Sequence, residues 1–157
     1  MNLRPWSYRR ITLYTPVHHS NFDCPTPGVQ SKLLKNALAQ DDRVVFAYIH
    51  GSFVKGESFR DIDIGIYVKN PEENPFVVSS DIKTQLSQIF KKENIDLTAD
   101  QFDIQIINHA AFTFLKKVFK EGILLVDHNP ELRTDLVEYV SSKYRECAGL
   151  LAEVSLI

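Results

Sequence analysis

Apolar residues along this chain follow two rhythms. From 44 to 49 they run unbroken, Val44-Val45-Phe46-Ala47-Tyr48-Ile49, and their β-branched and aromatic character predicts a buried strand. From 61 to 68 they alternate: Ile62, Ile64, Ile66 and Val68 take every second place, with Asp61, Asp63, Gly65 and Tyr67 between them. Side chains of a strand point to opposite faces in turn, so the isoleucines face a core and both carboxylates face away from it. Phe102, Ile104 and Ile106 alternate with Asp103 and Gln105 and predict a strand over 102–108; Ile123 to Val126 predicts a short one. Helical spacing fills the intervals. It appears at Ser31–Gln40 through Leu33, Leu34, Ala37 and Leu38, and at Pro75–Lys92 through Val78, Ile82, Leu86, Ile89 and Phe90. A further helix is predicted over 109–121. A last one starts at Asn129-Pro130, with a stripe from Leu132 through Val140 and Cys147 to Leu151 and Val154.

These elements predict an α+β fold, a small mixed β-sheet flanked by helices. Residues 30–157 read as one domain. Residues 1–29 differ: Pro5, Pro16, Pro25, Pro27 and Gly28 interrupt any long element, and Arg10 to Thr15 fits one short edge strand. This segment reads as an extension lying on the domain. The last helix is long for so small a domain, so its stripe is expected to pack on the protein and to add some homo-oligomer contact.

Composition narrows the setting. A length of 157 residues, 44% of them apolar and 24% charged, suits one soluble globular domain. A net charge of −2 argues against a broad nucleic-acid footprint, which needs a basic surface. No apolar run approaches the roughly 18 residues of a membrane span, and the arginine-containing N-terminus lacks the apolar stretch of a signal peptide. Cys24 and Cys147 are far apart and fit no metal-ligand pattern, so they read as reduced thiols of a cytoplasmic protein. His18-His19 reads as a loop pair and His50 as a wall of the turn that follows it.

The chemistry lies between Tyr48 and Gly65, which hold three of the six glycines in the chain between positions 51 and 65. Gly51 allows a tight turn and close approach of backbone to a ligand. Ser52 can cap a short helix beginning at Phe53, and free N–H groups at a helix start attract phosphate. Taken alone, Gly-Ser is an ordinary capped turn and Asp-x-Asp an ordinary solvated strand face. Together they place a phosphate cradle beside two stacked carboxylates, which repel one another unless a cation lies between them. Mg²⁺ suits such a place, since it takes a few carboxylates together with substrate phosphates. A third acid from a neighbouring strand would complete the set. Asp103 is favoured over Asp96 because its strand is longer and more regular.

Gly51-Ser52, then Asp61-Ile62-Asp63, then Asp103 on a later strand, resembles the nucleotidyltransferase superfamily of DNA polymerase beta type, and within it the minimal nucleotidyltransferases (MNT) often paired with a HEPN-domain protein. The order of elements from about residue 30 to 127 agrees, as does the ending Phe-Leu-Lys-Lys-Val-Phe-Lys-Glu-Gly-Ile-Leu-Leu. The stretch Phe53–Arg60 is shorter than the family's usual loop, and Arg60 stands where a serine is common. The resemblance implies a nucleotidyltransferase-like fold and transfer of a nucleotide, AMP from ATP, to a hydroxyl of a HEPN-type partner, as an antitoxin. It implies phosphates at Gly51 and Ser52, assisted by Lys55 and Arg60. It also implies two Mg²⁺ ions on Asp61, Asp63 and Asp103, with Asp103 able to take the proton of the incoming hydroxyl. Two other readings stay open: a transferase acting on a small molecule such as an aminoglycoside, and a non-catalytic nucleotide- or partner-binding module.

Overall fold

The computed structural model describes residues 27–55 and 60–154. The predicted edge strand at Arg10–Thr15, the His18-His19 pair and Cys24 lie outside them. In chain order the elements are α1 (Pro27–Ala39), β1 (Val44–His50), α2 (Ser52–Lys55), β2 (Ile62–Val68), α3 (Pro75–Lys92), a 3₁₀ turn (Ala99–Gln101), β3 (Phe102–Ile106), α4 (Phe112–Glu121), β4 (Ile123–Asp127) and α5 (Pro130–Val154). The sheet order is β3-β2-β1-β4. β1 runs antiparallel to both its neighbours, and β2 pairs with β3 in parallel, so the sheet is mixed. A parallel pair needs a crossover, and α3 provides it.

Each face of the sheet has its own core. One joins Leu34 and Leu38 of α1 and Val78, Ile82, Leu86 and Phe90 of α3 to Ala47, Ile49, Ile62, Ile64, Ile66, Phe102 and Ile104. The other joins Leu115, Val118 and Phe119 of α4 and Val140 of α5 to Val45, Phe46 and Tyr48. All of β1 is buried, which is why its apolar run is unbroken. A register shift between Val44 and Phe46 lets Val45 and Phe46 share one core, after which strict alternation resumes. The Phe46 ring stacks on its cross-strand neighbour Tyr67, with ring centres 4.9 Å apart.

Three boundaries differ from the sequence reading. α1 begins at Pro27, four residues before the predicted Ser31: a proline in the first turn has no N–H to waste and its fixed φ already suits a helix. β3 stops at Ile106, short of 108. There the Asn108 side chain takes over the ladder, donating to the Val68 carbonyl at 2.8 Å and accepting from the Val68 N–H at 2.9 Å. That turn delays α4 to Phe112 rather than 109. α3 begins as predicted, with Asn74 accepting a hydrogen bond from the Phe76 N–H at 3.0 Å and Pro75 in the first turn. No described helix is long and apolar enough to cross a membrane.

Asn108→Ala leaves both Val68 backbone groups without their partner. It should lower unfolding free energy by about 1–2 kcal/mol in a denaturant titration, whereas Asn70→Ala, which removes exposed contacts only, should change it by less than about 0.5 kcal/mol.

Candidate functional site

One end of the sheet gathers the polar residues that the alternation had set apart. In the register, His50 at the end of β1 lies opposite Asp63 of β2, and Asp63 lies opposite Asp103 of β3. Asp61 comes just before β2. The same register puts Ile62 beside Phe102 and Ile64 beside Ile104. Those pairs are buried on the α1–α3 side, so the acids between them must face the α4 side.

Gly51 closes the row. It adopts a φ of 77°, the left-handed region that favours glycine. A Cβ added there would collide with the Asp63 carboxylate, which lies directly over the glycine. The turn and the acid therefore need the same missing atom. Ser52 follows as the first residue of α2, half-buried.

The electrostatics are those of uncompensated acids. Burial pushes the Asp63 carboxyl above the ordinary carboxylate range; Asp103 and Asp61 push the same way, while His50 and Lys117 oppose them. Burial holds His50 below its usual value against the pull of Asp63 and Asp103, so a neutral imidazole is favoured. Its ring rests edge-on against Phe114 of α4, centres 5.7 Å apart, and its Nε2 is buried with no hydrogen-bond partner among the described residues. Asp103 accepts a hydrogen bond from Gln105 Nε2 at 3.0 Å. Other part-buried acids in the molecule have an arginine each: Asp41 with Arg43 and Asp127 with Arg133, both at 2.8 Å. No such ion pair holds Asp63 or Asp103 among the described residues.

The remaining expected residues are more scattered. Lys55 is exposed and pairs with Glu121 at the end of α4, at 3.9 Å. Arg60 is exposed beside Asp61. Asp96 is exposed in the loop between α3 and the 3₁₀ turn, outside the sheet. Gln105 and Lys117 were not singled out from the sequence. Gln105 shares the alternation of Asp103, which is a usable signal; Lys117 is one of several lysines on its helix, and nothing in the sequence separates it from them.

The acids are neighbours without forming one ligand shell: among the described residues no group of three or more His, Cys, Asp and Glu is drawn together to hold an ion. Two facing carboxylates with a third nearby still suit Mg²⁺, which takes one or two protein carboxylates and fills its other positions with water and phosphate oxygens. A cavity of about 480 Å³ lies at the opposite end of the sheet, lined by Val45, Tyr67, Lys69 and His128 among others. The His128 ring nitrogen there is already engaged with the Ala39 carbonyl, and Asn108 with Val68.

The family model for the polymerase beta nucleotidyltransferase domain matches residues 32–131. Comparison with curated proteins gives no significant match. Among solved structures, the complex of tri-AMPylated HEPN toxin with MNT antitoxin from Shewanella oneidensis aligns over 82% of this chain and 96% of its own matched chain, with a TM-score of 0.50 and 17% identity. The MntA–HepT toxin–antitoxin aligns over 82% and 96%, with a TM-score of 0.55 and 15% identity. A toxin–antitoxin structure with AMP-PNP aligns over 83% and 96%, with a TM-score of 0.55 and 18% identity. At these identities the likeness is one of fold.

Two outcomes follow from the geometry. Gly51→Ala should destabilise the protein by about 1–2 kcal/mol for the left-handed backbone alone, with a further cost from the clash. In a double-mutant cycle with Asp63→Ala the clash part should vanish, giving a coupling of about 1 kcal/mol in denaturant titrations. The second concerns pH. Because the folded pKa of Asp63 is raised, the folded state keeps a proton that the unfolded chain has already lost. Stability therefore falls as pH rises from the ordinary carboxylate value of about 4 through the raised folded value, and stays lower above it. In a chelating buffer Asp63→Asn should be more stable than the parent at neutral pH, and the gain should disappear below about pH 4.

Proposed function

Since the chain belongs to the polymerase beta nucleotidyltransferase family, we propose that it works in the cytoplasm as an MNT-type nucleotidyltransferase, transferring AMP from ATP to a hydroxyl of a HEPN-type partner protein and acting as its antitoxin. The observation that carries this reading is the row His50–Asp63–Asp103 beside the Gly51 turn, with both acids held by no ion pair among the described residues. The tri-AMPylated HEPN toxin found with an MNT antitoxin, and the AMP-PNP found in a related toxin–antitoxin, supply the transferred group and the kind of acceptor.

The residues divide the work as follows. Gly51 turns the chain beneath Asp63 and brings Ser52 to the site, where the Ser52 hydroxyl donates to a phosphate oxygen. Asp61, Asp63 and Asp103 would hold two Mg²⁺ ions, which neutralise phosphate charge and favour the attacking and leaving oxygens of an in-line displacement. Asp103, oriented by Gln105, accepts the proton of the acceptor hydroxyl. That oxygen bonds to the α-phosphorus, the bond from the α-phosphorus to the bridging oxygen breaks, and pyrophosphate leaves with the electron pair. The protein contributes position and charge rather than covalent chemistry.

A protein acceptor suits the setting. Asp61, Asp63 and Asp103 are only half-buried at the end of the sheet, and α5, the element left over from the core domain, packs along α4 through Leu136, Val137 and Val140. A hydroxyl carried on another protein reaches such a place more readily than a small sugar is gripped by it.

Incubation with labelled ATP, Mg²⁺ and a co-encoded HEPN-domain protein should label that partner. Asp63→Ala and Asp103→Ala should each reduce the label about a hundred- to a thousandfold. A partner that stays unlabelled by the parent chain, or label that survives Asp63→Ala, would overturn the assignment.

A further inference from the structure

We propose that Lys117 of α4 contacts the phosphate tail of the bound nucleotide. The inference rests on the nucleotidyltransferase reading of the same site.

The placement comes from α4. Phe114 touches His50, and Val118 fills the space beside Gly65 of β2. Residues three apart share a side of a helix, so Lys117 follows Phe114 onto the margin nearest the acid row. Its charge is felt at both Asp63 and His50, in keeping with that placement. The side chain is exposed, and no ion pair holds it among the described residues. Its neighbour Lys116 points elsewhere, over the Tyr144 ring of α5 at 2.9 Å from the centroid.

The charge argument gives this lysine its role. Before nucleotide binds, Lys117 partly offsets the negative charge around Asp63. With Asp61, Asp63 and Asp103 holding divalent ions, the triphosphate would be the strongest anion left within reach of the ammonium. Of the two cations suggested by the sequence, Lys55 is exposed and 3.9 Å from Glu121, and Arg60 is exposed just before Asp61. A long, flexible lysine stem can swing from carboxylate to phosphate without moving the helix.

The test is the affinity of the full chain for Mg-ATP, measured by titration calorimetry for Lys117→Gln, Lys117→Arg and Asp63→Ala. Lys117→Gln keeps length and polarity but removes charge. It should weaken binding about tenfold at low salt, and the difference should shrink toward parity at about 0.5 M salt, where exposed charges are screened. Lys117→Arg should stay within about threefold of the parent. A merely structural lysine would show neither the salt dependence nor the rescue. If Lys117→Gln binds like the parent while Asp63→Ala loses Mg-dependent binding, the lysine proposal falls and the nucleotidyltransferase reading stands. If Lys117→Arg is as weak as Lys117→Gln, the proposal falls as well. If the parent chain binds no Mg-ATP, the nucleotidyltransferase reading falls and takes this inference with it.

Discussion

The parallel pairing of β2 with β3 is the constraint on which the site depends. It sets Asp63 directly opposite Asp103, two like charges on adjacent strands, an arrangement that opposes itself. What holds it is the other face. Ile62, Ile64, Phe102 and Ile104 are buried against α1 and α3, and Phe90 of α3 meets Phe102 edge-on at 5.4 Å. A slip of one residue would turn every one of those apolar side chains outward. The hydrophobic cost of that slip far exceeds the repulsion of two half-exposed carboxylates. The core thus fixes the register, and the register sets the acids side by side.

The Gly51 turn adds a second level of constraint. It needs a glycine for its backbone angle and again for the space that Asp63 occupies. Such double use ties the geometry of the turn to that of the acid, so Gly51 and Asp63 form one unit. The acids elsewhere clarify what kind of unit it is. Asp41 is held below its ordinary range first by its hydrogen bond with Arg43, and Asp127 has Arg133. Those pairs are complete. Asp63 shifts the other way, upward through burial, and no arginine pairs with it among the described residues.

Much of this was legible in the chain, for a reason specific to each residue. The alternation from Asp61 to Val68 works as a signal because one face of β2 is apolar throughout and the other is not. The order of elements followed from the same periodicities, and so did the place of Asp103 on a strand; Asp96 falls in the loop before the 3₁₀ turn. What stayed hidden depends on contacts between distant positions. The shift at Val45–Phe46 is invisible in a run that is apolar at every place. Asn108 imitates a strand residue with its side chain, so the strand reads longer than it is. Lys55 stands near the Gly51 turn in sequence, but its contact with Glu121 exists only once α4 has packed.

α4 shows how far a single helix can be divided among tasks. Leu115, Val118 and Phe119 enter the core, Phe114 walls His50, and Lys116 crosses to Tyr144. Each successive residue turns about 100° around the axis, so neighbours in sequence must serve different surroundings while residues three and four apart serve the same one. Three lysines in this stretch, Lys116, Lys117 and Lys120, look alike in composition. The phase of the helix against the sheet separates them, and that phase is set by which apolar side chains reach the core. The charge that faces the acids is therefore chosen by the packing of Leu115 and Val118, not by anything in the lysine itself.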